Sequence, residues 1–358
     1  MIWDHEELDA FNYPSEQAML AVLCALHILQ APTLSQVWSM RLQTEVQSFV
    51  VGERAIYFGA NDSYGAIDQS NGKKIWAKSV GLPQIGVFVA EADGVLFASI
   101  GQGNLSAFNA STGKPVWSAK RTGYASPIGS YNQAVYAELS PGKLSALNAG
   151  DGKPKWSADL EKSTPSTKPI RFGKAIFVGT KAGSIFAFDK DSGADIWRFK
   201  ERDSGVQALL VAEDRLVALF DDGTIFGLSL TTGKRMWAVY TNNGLFGQPL
   251  LRDGRLFVTS VSGRFYSIAA ENGQELWQRS LSFTQNFGLS QPMPYQDGFL
   301  IADKTKLVQL DAEGQKKWEA DIKEDLFGQQ PRPLGNDILL TTSHGFLRYR
   351  VAAANSLD

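Results

Sequence analysis

A single cysteine, Cys24, in 358 residues rules out an intramolecular disulfide. Histidine is nearly as scarce. His5, His27 and His344 are too few and too dispersed for a histidine-based metal site, no Cys-x-x-Cys or His-x-x-x-His spacing occurs, and His344 within Ser343-His-Gly345 reads as a turn residue. Concentrated positive charge is missing too: the formal net charge is −2 and no run of lysine or arginine stands out. A nucleic-acid partner, which needs clustered cations to neutralise phosphates, is therefore not expected. The chain also lacks a Gly-x-Ser-x-Gly elbow, a phosphate loop and a dinucleotide fingerprint. The adjacent carboxylates Glu213-Asp214 and Asp221-Asp222-Gly223 fall in turn-like segments, where acidic side chains serve local backbone hydrogen bonds. These gaps leave no expected catalytic residue, metal, cofactor or small-molecule substrate.

Tryptophan and glycine are what the chain has. Trp38, Trp76, Trp117, Trp156, Trp197, Trp237, Trp277 and Trp318 are spaced 38, 41, 39, 41, 40, 40 and 41 residues apart. All but the first carry a glycine four residues earlier, at Gly72, Gly113, Gly152, Gly193, Gly233, Gly273 and Gly314. A period that regular means one supersecondary unit used repeatedly. Around Trp197 the runs Ala175-Ile-Phe-Val-Gly179, Ser184-Ile-Phe-Ala-Phe-Asp189 and Ile196-Trp-Arg-Phe199 read as strands, joined by the tight links Lys181-Ala-Gly183 and Asp191-Ser-Gly193. With Lys168-Pro-Ile-Arg-Phe172 in front, the unit is four antiparallel strands, the size of a propeller blade. So small a sheet cannot offset its chain entropy alone, and stacking on copies of itself resolves that. One indole at a fixed place per blade serves as the wedge between neighbours.

The ends complete the count. After Trp318, Arg332-Pro-Leu, Ile338-Leu-Leu-Thr-Thr342 and Phe346-Leu-Arg-Tyr-Arg-Val351 give three strands of a further blade without its tryptophan, while Val37-Trp-Ser-Met-Arg-Leu42 supplies a tryptophan strand without the other three. The expectation is an all-β, eight-bladed propeller over residues 37–358, its last blade closed by the N-terminal strand, and a monomeric ring.

Residues 1–36 stand outside the period. Pro14-Ser15-Glu16 resembles a helix start, and Ala18 to Leu26 is wholly apolar. That run is too short to cross a membrane as a helix; it has the length of a secretory core but no preceding lysine or arginine. Export to the cell envelope or periplasm and retention of a cytoplasmic helix both stay open.

In a propeller the first strand of each blade lines the central channel. Candidate channel-lining residues are Gln84, Gln207, Gln248, Gln291, Gln330 and Arg332, mostly amides, with Lys168 the other nearby charge. Phe246, Phe283, Phe287 and Phe327 sit in links that need no aromatic for closure, which makes them candidate partner-binding residues on one face or a plug at the channel mouth.

The segment Ala107-Phe-Asn-Ala-Ser-Thr-Gly-Lys-Pro-Val-Trp117 resembles the Ala-x-Asp-x-x-Thr-Gly-Lys-x-x-Trp repeat of the pyrroloquinoline-quinone-type β-propellers, as do residues 66–76 and 146–156. Later copies drift: Gly227 and Ser267 replace the alanine, and the Trp318 copy is one residue shorter. Within that superfamily the length and blade count are most similar to the BamB-type proteins. The resemblance implies a non-enzymatic scaffold that binds protein partners, among them a membrane β-barrel assembly factor, in the cell envelope. Leu160-Glu-Lys-Ser-Thr-Pro-Ser166 does not match that family's partner-binding loop, so architecture transfers and individual contacts do not. Two other functions remain in view. A quinone-dependent dehydrogenase is implied by the larger members of the superfamily, and an intracellular interaction platform follows if residues 1–36 stay attached.

Overall fold

The computed structural model describes residues 33–352 apart from 81–86, 132, 242–243, 282–289, 304, 323, 325, 327–330 and 335. Of the expected extension at residues 1–36, residues 1–32 lie outside the described residues and 33–36 are part of a strand. Every described regular element is a strand, and the strands form eight four-stranded antiparallel sheets. Blades 1 to 7 are residues 46–79, 87–119, 129–159, 170–199, 206–240, 245–280 and 293–321, each a simple meander. Blade 8 takes three strands from residues 332–352 and its outermost from Thr33–Arg41, which begins ahead of Val37. That strand runs antiparallel to Gly345–Ala352, pairing Thr33 with Ala352 and Arg41 with Gly345. The two chain ends thus share one sheet, as the tryptophan count requires.

The hydrophobic core is divided among the interfaces. Eight clusters of buried apolar side chains lie between successive blades, and each contains one of the eight periodic tryptophans. Between blades 4 and 5, for example, Trp197 packs with Phe177, Val206, Phe220, Phe226 and Leu230. The strands alternate too little for a one-sided sheet because both faces of a blade meet a neighbour; Ala55–Ala60 is buried at all six positions.

A β-bulge recurs at one place in all eight blades and explains the motif. The third strand offers the residue opposite the tryptophan, as in Ala187↔Trp197, and its next residue skips one to Phe188↔Asp195, leaving Ile196 as the extra residue. The same slip leaves out Val37, Ile75, Val116, Lys155, Met236, Leu276 and Lys317. A bulge bends its strand and re-aims the side chain beside it. Here it tips each indole toward the following blade, over a small residue: Ala66, Ala107, Ala146, Ala187, Gly227 or Ser267 in blades 1 to 6.

Candidate functional site

The tryptophan and glycine positions assemble as one repeated joint. The Trp156 ring of blade 3 lies against Gly193 of blade 4; a Cβ added to that glycine would come within 2.6 Å of Trp156 Cδ2 and Cε3. Gly193 also has a φ of +73°, which an L side chain adopts only with strain. The remaining joints follow the same order round the circle, Trp38 on Gly72, Trp76 on Gly113, Trp117 on Gly152, Trp197 on Gly233, Trp237 on Gly273 and Trp277 on Gly314. Among the described residues Trp318 meets no such turn; it is buried against Leu347, Tyr349 and Leu34 instead.

Two other motif positions have structural employment. The Asp or Asn opens the turn, and Asp189 Oδ1 accepts bonds from the backbone N–H of Ser192 (2.9 Å) and of Asp191 (3.1 Å) and from the Ser192 hydroxyl (2.8 Å). Those bonds from Ser192 hold the exposed Asp189 carboxyl below its ordinary pKa. The residue after it presents its carbonyl to the arriving indole: Trp38, Trp76, Trp117, Trp156 and Trp197 donate through Nε1 to the carbonyls of Gln69, Ala110, Ala149, Lys190 and Leu230 at 2.8–2.9 Å.

The drifted copies break this pattern. Trp237 sits directly over Gly227, where an alanine Cβ would collide with its Cε2 and Nε1. Its Nε1 is buried without a partner among the described residues, and the carbonyl of Ala270 accepts from Arg215 Nη1 at 3.3 Å. In the next blade Ser267 stands opposite Trp277 and the turn of Gly314 is the shortened one; Trp277 Nε1 and Ser267 Oγ are likewise buried and unpartnered among the described residues.

Of the channel candidates, Gln207 lies half-buried in the inner strand of blade 5, Gln248 is exposed in that of blade 6, and Gln291 is buried on the approach to blade 7. Arg332 opens the inner strand of blade 8 and is exposed. Gln84 and Gln330 lie outside the described residues, as do Phe283, Phe287 and Phe327. Phe246 belongs to the strand Leu245–Arg252, with its backbone opposite Thr259, and not to a connecting link.

Hydroxyls on the approach to the inner strands are structural. Ser126, Thr167 and Ser290 are buried and accept from the backbone N–H of Glu138, Gly179 and Ala302 at 3.4, 2.9 and 2.7 Å. Ser48 and Ser166 donate across a blade interface to the carbonyls of Val87 (2.8 Å) and Val206 (2.6 Å).

Sequence reading missed two further features. Arg121 is buried between blades 2 and 3, bonded to Ser99 Oγ and to the carbonyls of Ile100 (2.9 Å) and Gly101 (2.6 Å); burial pulls its pKa down to about 10 against the favourable charge of Glu138. Glu138 accepts from the N–H of Gly142 at 2.8 Å, and burial raises its carboxyl. The second is a rim: the bulge residues Val37, Ile75, Val116, Ile196, Met236 and Leu276 are exposed apolar side chains on the outermost strands, interrupted by Lys155 and Lys317. The position before each tryptophan carried that signal. Among the described residues no group of three or more His, Cys, Asp or Glu could hold a metal ion, and no helix is long and apolar enough to cross a membrane.

A closed ring of eight tryptophan-wedged blades with the pyrroloquinoline-quinone-type repeat defines the class. The family model described as outer membrane protein assembly factor BamB matches residues 25–182, 142–286 and 181–331, and the chain belongs to that family. The BamB protein of Burkholderia pseudomallei is 28% identical over 113 residues, 31% of this chain and 29% of that protein. Tetrathionate hydrolase of Acidithiobacillus ferrooxidans is 24% identical over 219 residues, 60% of this chain and 41% of that enzyme. These matches span less than half the length of either relative. The solved structure of BamB from Moraxella catarrhalis superposes with a TM-score of 0.71 at 18% identity, covering 90% of this chain and 99% of that one. A quinohemoprotein alcohol dehydrogenase from Comamonas testosteroni gives 0.72 at 13% identity, covering 90% and 77%. Likeness at that identity shows the shared fold and nothing finer.

Proposed function

We propose that the chain is a non-enzymatic scaffold of the cell envelope that binds protein partners during assembly of outer-membrane proteins. The family match running from residue 25 to residue 331 carries this reading. The motif residues agree with it, since tryptophan, glycine and Asp or Asn at each joint are occupied in holding blades together. Ser126, Thr167 and Ser290 are likewise engaged with backbone. What the fold leaves for a partner is surface, and the proposed docking face is the one bearing the links of Phe283, Phe287 and Phe327 together with Phe246.

The test is capture by the tagged full chain from a detergent extract of envelope, read by mass spectrometry. A membrane β-barrel assembly factor recovered by the wild-type chain, and depleted with Phe246, Phe283, Phe287 and Phe327 changed to Ser at unaltered melting temperature, is the expected result. No β-barrel protein or assembly factor among the captured species would contradict the scaffold reading. The second reading, an enzyme, is favoured by the hydrolase relative over 60% of the chain. Turnover of tetrathionate, or quinone-dependent dye reduction, by the purified chain would establish it.

A further inference from the structure

In most blades the outermost strand and the turn leading into it carry both signs of charge. Asp151 and Asp159 accompany Lys153 and Lys155 in blade 3, and Asp191 and Asp195 accompany Lys190 and Arg198 in blade 4. Glu271 and Glu275 in blade 6, and Glu313, Glu319 and Asp321 in blade 7, continue the series. Three consecutive blades differ. Residues 33–41 of blade 8, 69–79 of blade 1 and 110–119 of blade 2 contain Arg41, Lys73, Lys74, Lys78 and Lys114 and no carboxylate. Blade 5 also lacks one over residues 230–240, and there Arg235 is paired with Glu201. Pairing repeats the contrast: Lys153, Arg198, Lys316 and Lys317 meet carboxylates at 2.7–3.2 Å, whereas Lys73, Lys74 and Lys114 form no ion pair among the described residues.

The tryptophan joints set these cations among exposed aliphatic groups. Trp38 lies on Gly72, which puts Lys73 beside the strand of Val37, and Trp76 lies on Gly113, which puts Lys114 beside the strand of Ile75. Val37, Ile75 and Val116 are the bulge residues of the three blades, 39%, 45% and 48% exposed. Between the outermost strands of blades 8 and 1 the edge is hollowed into a groove of about 340 Å³, lined by Arg41 and Lys74 together with Met40 and Leu42. Carboxylates bordering this edge are engaged or set aside. Asp62 lines the groove, and its Oδ1 accepts from the hydroxyls of Thr44 (2.6 Å) and Ser63 (2.8 Å). Asp68 accepts from the N–H of Ser70 at 2.7 Å, Glu324 reaches the Arg41 guanidinium at 3.6 Å, and Glu45 lines no part of the groove.

We propose that this edge of the ring docks on an anionic phospholipid surface. The groove takes the phosphate of a headgroup between Arg41 and Lys74, Lys73 and Lys114 lie at headgroup level, and Ile75 enters the interfacial layer with Val37 and Val116 on either side. Lysine stems that lie along apolar surface with their charges in water, beside exposed aliphatic side chains, are the composition that such an interface selects. A protein strand is the poorer occupant, because the bulges at Val37, Ile75 and Val116 interrupt each open edge where an added strand would have to pair. The surface is independent of the scaffold reading: docking on lipid and capture of a protein partner can each fail alone.

The probe is a vesicle of phosphatidylcholine with a minority of phosphatidylglycerol, floated with the full chain at low ionic strength, and pure phosphatidylcholine is the control. Binding to the anionic vesicle alone is expected, reversed by salt and weakened about tenfold or more in K73S/K74S/K114S at unaltered melting temperature. K316S/K317S, on blade 7, binds as wild type does. With Cys24 changed to Ser, an environment-sensitive fluorophore on I75C shifts to the blue when anionic vesicles are added, and the same label on I196C of blade 4 does not. No binding to anionic vesicles overturns the surface. Equal binding by wild type and K73S/K74S/K114S also overturns it, and would assign membrane contact to the apolar run at residues 18–26. Displacement of the chain by inorganic phosphate at constant ionic strength would do the same, making the groove a site for a soluble anion.

Discussion

At the scale of the residue, the tryptophan and the glycine beneath it are one device. The indole supplies a large flat apolar area and a single donor, and the glycine supplies both a positive φ and the vacant space that lets the ring lie on backbone. Gly193→Ala is therefore expected to cost about 2–4 kcal/mol, combining left-handed strain with overpacking against Trp156. Trp156→Ala leaves a cavity between blades 3 and 4 and an unmet carbonyl at Lys190, at about 3–5 kcal/mol. Urea unfolding of the two variants checks both. A glycine variant as stable as wild type would show that the joint is not under this constraint. Drift in the repeat has a readable consequence at this scale: alanine to glycine at position 227 lets the Trp237 ring slide over the partner strand and lose the hydrogen bond its counterparts make. Substitution at one motif position could be seen in the sequence; the altered pose of the ring could not.

At the scale of the element, the strand Thr33–Arg41 replaces a covalent connection. Without it blade 8 would expose the edge of Gly345–Ala352 and uncover Phe346, and Trp38 would no longer wedge against blade 1. The strand beside it is pinned by Asp337, whose carboxylate is almost fully buried and takes bonds from Arg348 Nε (2.6 Å) and Arg350 Nε (3.1 Å), while Arg348 Nη1 reaches the Gln69 carbonyl of blade 1 at 2.8 Å. Burial pushes that carboxyl upward, and the arginine bonds outweigh it, leaving the pKa below the ordinary aspartate value. A depressed carboxyl binds fewer protons in the native than in the unfolded chain. Its contribution is thus fully present above the ordinary aspartate range and disappears as pH falls through the lower folded value. Asp337→Asn should cost about 2–3 kcal/mol at neutral pH, with the gap to wild type closing under acid. Melting temperatures of the two chains from pH 7 down to pH 2.5 test this, and a gap independent of pH would contradict it.

At the scale of the whole molecule, how much could be read from the sequence depends on repetition. Eight tryptophans and seven glycines at one period made the blades, their number and the sharing of the last blade by both chain ends legible, because each joint states the same geometry again. Features that occur once were not legible. Arg121, in the link between blades 2 and 3, and Glu138, on the second strand of blade 3, are both buried, and nothing local in the sequence marks either as such. Nor does the sequence mark the hydroxyls of Ser126, Thr167 and Ser290, which accept from backbone N–H groups of the adjoining strand. The repeated bulge lay between these extremes: its period was present in the residue before every tryptophan, but only strand register shows that this residue is the one left unpaired.

Closure of the ring by the two ends of the chain is the claim on which the rest stands, and it can be measured with one cross-link. Thr33 and Ala352 face each other in register on exposed positions. With Cys24 changed to Ser, the pair T33C and A352C is expected to form an intramolecular disulfide under mild oxidation, monomeric on non-reducing gels and more stable than the reduced chain by about 3–5 kcal/mol for so long a loop. A pair that stays reduced, or that joins only between separate molecules, would contradict the closed ring.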